Sequence, residues 1–272
     1  MRTPQLQITA PVSTRERVPR LRFTVITPGL SGRSAFLAEA IASVRASLRA
    51  PLDFDVEHLV REEASPGRPG RGRRDVPLSD GIGLRVWRQR EHLGPGAARN
   101  RLLQECAPDS WIVPLDDDDL LLQRTLHHYA DLILHHPERR WFVADFARMD
   151  AARRYLPGQD YAAWTFQTPT AMLTSIFQAR HFLQGNVCFH QGLIQEVGGY
   201  DETLEMAEDL DLYVRFLLAG HLPWRGTHLS HLHRVHEGNI SRGVDARTHH
   251  EDLERLYRRH APRLEALGVP TP

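Results

Sequence analysis

From Gly94 onward the chain reads GPGAARNRLLQECAPDSWIVPLDDDDLL, a turn, a helix, a short apolar strand and then four consecutive carboxylates. No other stretch limits the fold so strongly. Gly94, Pro95 and Gly96 are turn residues, and Ala97, Ala98, Leu102 and Leu103 recur at helical spacing until Pro108. Trp111, Ile112 and Val113 then form a strand whose C-terminal end carries Asp116, Asp117, Asp118 and Asp119. In open α/β sheets that edge is where ligands bind. An acid also suits the cap of a following helix, but one or two satisfy that need. Four in a row repel one another unless positive charge is brought among them. A hard divalent cation with a preference for oxygen, Mg2+ or Mn2+, meets that requirement.

The rest of the chain supplies the sheet that this stretch needs. RFTVIT, Arg22 to Thr27, is a β-branched strand closed by Pro28 and Gly29. Ser34 starts a helix with Phe36, Leu37, Ala40, Ile41 and Val44 on one face. Further strands are expected at Phe54 to Val60 and Leu84 to Trp87, separated by a Gly, Pro and Arg loop from Ser65 to Asp75. That loop reads as a solvated one, although its arginines would also suit a diphosphate. Strands alternating with helices predict an α/β fold with a mostly parallel central sheet and right-handed crossovers.

Past the carboxylates, the pattern predicts a helix at Leu126 to Leu134, a strand at Trp141 to Phe146 and a strand-like GNVCFH from Gly185. Asp150 to Phe182 mixes aromatic and polar residues with Pro157, Gly158 and Pro169 as breaks, as a lid or an acceptor-binding wall would. Tyr161, Trp164 and Phe166 suit either packing or a sugar face. A helix from Glu208 to Leu218 turns Leu210, Val214 and Leu217 inward and places Glu208 and Asp209 in its first turn. One or two strands follow within Leu222 to His236, then a terminal helix from Arg247 to Leu267.

Composition excludes several alternatives. The 34 basic and 34 acidic residues cancel, so no overall field draws the chain to nucleic acid or to an anionic membrane. All the basic residues are arginine. With two cysteines, Cys106 and Cys188, and no CxxC, neither a disulfide framework nor a zinc ribbon is expected. No apolar run reaches the length of a membrane span, and MRTPQLQITAPVSTRERVPR lacks a signal peptide's apolar centre. The expected location is the cytoplasm, any membrane contact being peripheral, at the inner face.

Five ordered segments resemble the inverting GT-A glycosyltransferases of family 2. They are VITP with LAEAIASVRAS, GPGAARNRLL, VPLDDDDLL, VGGYDETLEMAEDLDLYVRFLLAG and HRVHEGNIS, spanning about Arg22 to Arg242. The resemblance implies a GT-A (nucleotide-diphospho-sugar transferase) fold. It implies residues 21–145 as the nucleotide-sugar half, 146–243 as the acceptor side of the same domain, 244–272 as a C-terminal helix and 1–20 as a loose tail. It also implies transfer of a sugar from a nucleotide donor, a UDP-sugar, to a hydroxyl on a glycan, a lipid-linked sugar or a small molecule. Asp209 of the ED pair, beside Glu208, would be the base. Asp118, Asp116 and His236 would hold Mn2+ or Mg2+.

Thr27, Pro28, Glu62, Glu63, Arg99, Asn100, Asp116 and Asp117 would contact the nucleotide sugar, and Asp119 would support the site. Arg234 and Arg242 are expected at the diphosphate. Alternation along the strand places His231 and His233 on one face and His236 on the other, which argues against a four-histidine zinc site with His228. The chain departs from the family where REEASPG replaces an acidic DDGSTD-like segment, which bears on the base of the donor. A nucleotidyltransferase or a non-catalytic nucleotide-sugar binder are the other readings of the same features.

Overall fold

A computed structural model describes residues 20–47, 53–63, 74–77, 82–89, 92–204, 206–239 and 246–272. Residues 1–19, most of the Arg-rich loop and Arg242 lie outside the described residues. The strands are β1 (Arg22–Leu30), β2 (Asp55–Glu63), β3 (Arg74–Pro77), β4 (Ile82–Gln89), β5 (Trp111–Pro114), β6 (Leu120–Leu121), β7 (Trp141–Asp150), β8 (Val187–His190) and β9 (Trp224–Val235). The helices are α1 (Ser34–Ser47), α2 (Pro95–Leu103), α3 (Thr125–His135), α4 (Pro169–Phe177), α5 (Gln191–Val197), α6 (Glu208–Leu218) and α7 (Ala246–Ala266).

These strands form one sheet in the order β3-β4-β2-β1-β5-β8-β7-β9-β6. β4, β2, β1 and β5 run parallel, and the sense reverses at β8, which is antiparallel to both β5 and β7. The chain builds outward from β1 to β2 and β4, then returns to add β5 on the other side of β1. Such a reversal opens a crevice at the strands' carboxyl ends. The sheet is covered on both faces, which is why Phe23, Thr24, Val25 and Ile26 of β1 are all buried. Ala40 and Val44 of α1 and Leu126 and Tyr129 of α3 pack on Phe23, Val25 and Val113. On the opposite face, α2, α4, α5, α6 and α7 gather around Ile26, Ile112, Trp141 and Phe189.

Three differences from the sequence expectation have simple causes. Arg74–Pro77, whose first two residues fall in the expected loop, pairs antiparallel with β4, because an edge strand is held by its backbone and needs no apolar face. β2 continues through Glu63, so both acids of REE stand on the strand and not beyond it. Pro169 does not break the chain but occupies the first turn of α4, where Thr168 accepts the Ala171 N–H at 3.1 Å.

Among the described residues, no helix is long and apolar enough to cross a membrane.

Candidate active site

A cleft of about 930 Å3 opens at the carboxyl ends of β1 and β5, between the N-termini of α2 and α6. The glycine turn before α2 makes this possible. Gly94 has φ +86°, and a Cβ on Gly96 would come within 3.0 Å of the Asp201 carbonyl, so the helix start lies directly against the GGYDE segment. Asn100, one turn along, fastens that segment. Its Oδ1 accepts the Tyr200 N–H at 2.7 Å and its Nδ2 donates to the Tyr200 carbonyl at 2.8 Å. At the start of α6, Ala207 takes the left-handed conformation (φ 60°, ψ 22°), and Glu208 and Asp209 follow it at the helix's positive end.

The four carboxylates have separate partners. Asp116, about half exposed, accepts Arg99 Nη2 at 2.6 Å. Asp117 is buried and accepts the Leu30 N–H at 2.8 Å and Arg33 Nη1 at 3.2 Å. Asp118 Oδ2 receives Arg33 Nη1 at 2.7 Å and lies 3.0 Å from His236 Nε2. Asp119 Oδ1 accepts the Arg234 N–H at 2.8 Å. Arg33 and Arg99 therefore supply part of the positive charge that the run requires. Arg99 reaches further: its Nη1 also pairs with Glu208, linking the DDDD loop to α6.

This environment pulls the acids apart in strength. Partial desolvation in the cleft works to raise Asp116, yet the Arg99 charge and hydrogen bond hold it below the ordinary aspartate value. Burial pushes Asp117 up to about 7, the Leu30 N–H resisting and the Asp118 charge adding to the rise. Asp209 is also pushed up to about 7, first by burial and then by the Glu208 charge, against the pull of Arg99. Arg99 itself is raised well above its usual value because Asp116 and Glu208 overcome its burial.

The structure brings most of the anticipated residues to the cleft. Pro28, Glu63 and Arg99 line it, as do Asp116, Asp117, Asp118, Glu208 and Asp209. The others stand behind it. The Thr27 side chain is fully buried against His58 Nε2 at 2.9 Å, and Asn100 is committed to the Tyr200 backbone. Glu62 pairs with Arg88 at 2.6 Å, whereas Glu63 turns to His92 Nδ1 at 2.7 Å and the Leu93 N–H. Arg234 is wholly buried, donating to the Asp118 carbonyl at 2.6 Å and pairing with Glu39 at 2.6 Å. It organises the loop and does not face a ligand. Tyr161 stacks on Phe146, which is packing, whereas Trp164 lies edge-on to Phe182 and is 42% exposed.

Arg33 and Tyr200 were not anticipated. Arg33 follows β1 in a Gly and Ser turn, and its position just past a strand's carboxyl end was the available signal. Tyr200 lines the cleft with the Arg99 guanidinium 5.5 Å from its ring centre.

Carboxylate oxygens of Asp116, Asp118 and Asp119 lie within 4.8 Å of one another. Of these, Asp116 and Asp118, with His236 on Asp118, fit a hard divalent cation, while both Asp119 oxygens turn toward β9.

The fold is shared with solved glycosyltransferase structures. S. aureus TarS 1–349 in complex with UDP-GlcNAc matches at a TM-score of 0.62 and 17% identity, over 89% of this chain and 66% of that one. The mannosyltransferase PcManGT from Pyrobaculum calidifontis, in complex with GDP-Man and Mn2+, matches at a TM-score of 0.54 and 15% identity, over 93% of this chain and 66% of that one. The chain thus spans just under two thirds of each, and 43% of the longer TarS structure. These likenesses establish the GT-A architecture, an α/β sheet flanked by helices. No curated protein matches the chain in sequence. The model of the family described as "Glycosyl transferase family 2" matches residues 25–172, more than half of the sequence, and the chain belongs to that family.

Proposed function

We propose that the chain is a metal-dependent, inverting glycosyltransferase that moves a sugar from a UDP-sugar to an acceptor hydroxyl on a glycan, a lipid-linked sugar or a small molecule. The observation that carries this reading is the placement of Asp209 on the same cleft as Asp116 and Asp118, with Arg99 tied to both sides. The UDP-GlcNAc complex of TarS and the GDP-Man and Mn2+ complex of PcManGT support a nucleotide-sugar donor in a cleft of this architecture.

On this reading residues 21–145 hold the donor and 146–243 build the acceptor side. Pro28 and Glu63 border the nucleoside end of the cleft, Glu62 supporting from behind through Arg88. Asp118 and His236, with Asp116, hold the cation, and Asp117 fixes the turn after β1 through Leu30. Bound Mn2+ or Mg2+ supplies positive charge for the departing diphosphate. Arg99 holds Asp116 ionised, and Asn100 keeps the GGYDE segment against α2.

Asp209 takes the proton of the acceptor hydroxyl as that oxygen attacks the anomeric carbon. A carboxyl raised to about 7 is a stronger base than an ordinary aspartate and still ionises near neutral pH. Displacement from the side opposite the diphosphate inverts the anomeric centre, and no covalent sugar–protein intermediate is required.

The test is sugar release from UDP-sugars in the presence of Mn2+, with and without simple glycan acceptors. Wild type should transfer or slowly hydrolyse the donor, and Asp209→Asn should not. Tight UDP binding with no sugar release would replace this reading with that of a binding protein. Pyrophosphate release from a nucleoside triphosphate and a sugar phosphate would identify a nucleotidyltransferase.

A further inference from the structure

Asp119 is not among the residues lining the cleft, yet it is 4% exposed and faces two imidazoles. The reason lies in strand register. β6 pairs antiparallel with β9, Leu121 opposite His231 and Leu120 opposite Leu232, so Asp119 arrives beside His233. His231 and His233, two positions apart on one strand, present their rings to the same side. Asp119 Oδ1 is taken by the Arg234 N–H, and Oδ2 is turned toward the rings, 3.3 Å from His233 Nδ1 and 3.9 Å from His231 Nε2.

His231 carries the decisive detail. Its Nε2 is buried and has no hydrogen-bond partner. The Ser230 hydroxyl lies 3.2 Å from the Asp145 carbonyl and 3.0 Å from His231 Nδ1. A carbonyl only accepts, so the hydroxyl proton goes to Asp145, and Ser230 Oγ accepts from a protonated Nδ1. This leaves the Nε2 lone pair bare, aimed at a carboxylate. Two buried acceptors facing each other cost free energy unless a cation lies between them. Nδ1–H on Ser230 is also the outer hydrogen bond by which metal-ligating imidazoles are oriented, and Phe146, stacked on the ring with centroids 5.2 Å apart, fixes its plane.

We propose that Asp119 Oδ2, His231 Nε2 and His233 Nδ1 form a second metal site for a divalent ion of the Zn2+ type, adjoining the Asp116 and Asp118 pair, with His233 at the border of the cleft. The three atoms lie within 4.8 Å of one another. Tetrahedral zinc bonds of about 2.0–2.1 Å place neighbouring ligands roughly 3.3 Å apart, so the observed spacings need to close by only tenths of an ångström along the edges to Asp119. Two imidazoles and one carboxylate suit Zn2+ or Co2+ and not Mg2+, which prefers oxygen. The ion would clasp the DDDD loop to β9 and so fix the loop that carries the cleft acids.

The test uses the full chain, freed of metal and titrated with Co2+, whose visible absorption reports nitrogen ligation in a four-coordinate site. An Asp118→Asn, His236→Gln double variant, disabled at the cleft site, should still bind one equivalent, displaced by stoichiometric Zn2+ and not by a large excess of Mg2+. In that background His233→Gln should weaken Co2+ binding by about 100-fold and abolish the visible bands. His231→Phe, which keeps the stack on Phe146, should do the same. In otherwise wild-type protein His233→Gln should lower Zn2+ stoichiometry by one, a readout independent of how the double variant folds. An unchanged stoichiometry in that experiment, or Co2+ bands insensitive to both histidine substitutions, would overturn the proposal.

Discussion

Arg99 and Glu208 stand 109 positions apart and form a buried ion pair, each side chain 8% exposed. The same guanidinium holds Asp116, so one residue of α2 joins the acids after β5 to the acids that open α6. Removing it would leave Glu208 buried without its countercharge. Arg99→Met should therefore lower unfolding free energy by about 3–5 kcal/mol in urea titrations. Arg99→Lys should recover only part, since a single ammonium cannot serve both carboxylates in the fork geometry. A loss under about 1 kcal/mol for Arg99→Met would show that the pair is not a structural link.

Asp209→Asn should cut sugar transfer by about 10²–10⁴-fold, the range for loss of a positioned base, with the fold intact. In wild type the transfer rate should rise with pH through about 7, where burial and the Glu208 charge have placed the Asp209 carboxyl. Residual activity in the asparagine variant should lack that rise. A pH profile identical in both proteins would remove Asp209 from the role of base.

Stability should move the opposite way with pH. Asp117 and Asp209, each near 7, hold their protons more tightly folded than unfolded. Their contribution is complete below about pH 4, the unfolded value, and is lost as pH rises toward 7. Asp209→Asn should thus melt at an equal or higher temperature than wild type at pH 8, and the advantage should vanish near pH 4. Differential scanning calorimetry across that window measures it.

UDP with Mn2+ should raise the melting temperature, by an amount corresponding to about 2.7 kcal/mol when the ligand is at a hundred times its Kd. Chelation should remove most of the shift. Asp118→Asn should show the small, metal-independent part even with Mn2+ present. A full shift in that variant would exclude Asp118 as a cation ligand.

Gly199 is hemmed in by Asn100: a Cβ there would lie 2.3 Å from Oδ1, the atom that accepts the Tyr200 N–H. Gly199→Ala should cost about 2 kcal/mol and lower turnover, because the cleft-lining Tyr200 is displaced. Asn100→Ala alone should cost about 1–3 kcal/mol through the unpaired backbone groups. The double variant should cost less than the sum, since each change relieves or duplicates the other, and a double-mutant cycle reads this coupling.

Local chemistry made much of the site legible. The turn Gly94–Gly96, the strand ending in Asp116 and the first turn of α6 each carry their signal within a few neighbouring residues, and the structure places them on one cleft. Residues whose meaning lies in distant partners were less legible. Arg33 looks like an ordinary turn arginine, and its partner Asp117 is 84 positions away. Asn100 gives no local hint that it holds the Tyr200 backbone. α4 was hidden because proline and glycine nearby read as breaks, although Thr168 and Pro169 are a helix-start signal. The strand alternation put His231 and His233 on one face, as the structure has them, but alternation alone does not reveal that Asp119 would meet both.

The docking of β9 also has a temporal meaning. Asp118 and Asp119 are synthesised more than a hundred residues before Arg234 and His236, which hold them in place. Contacts this distant in sequence close late in folding, after shorter loops have formed. A chain interrupted before β9 would still hold Asp116, Asp117 and Asp118 through Arg99, Leu30 and Arg33, but would lack the contacts of Arg234 and His236, so the last strand finishes an acidic loop that earlier elements have begun to order.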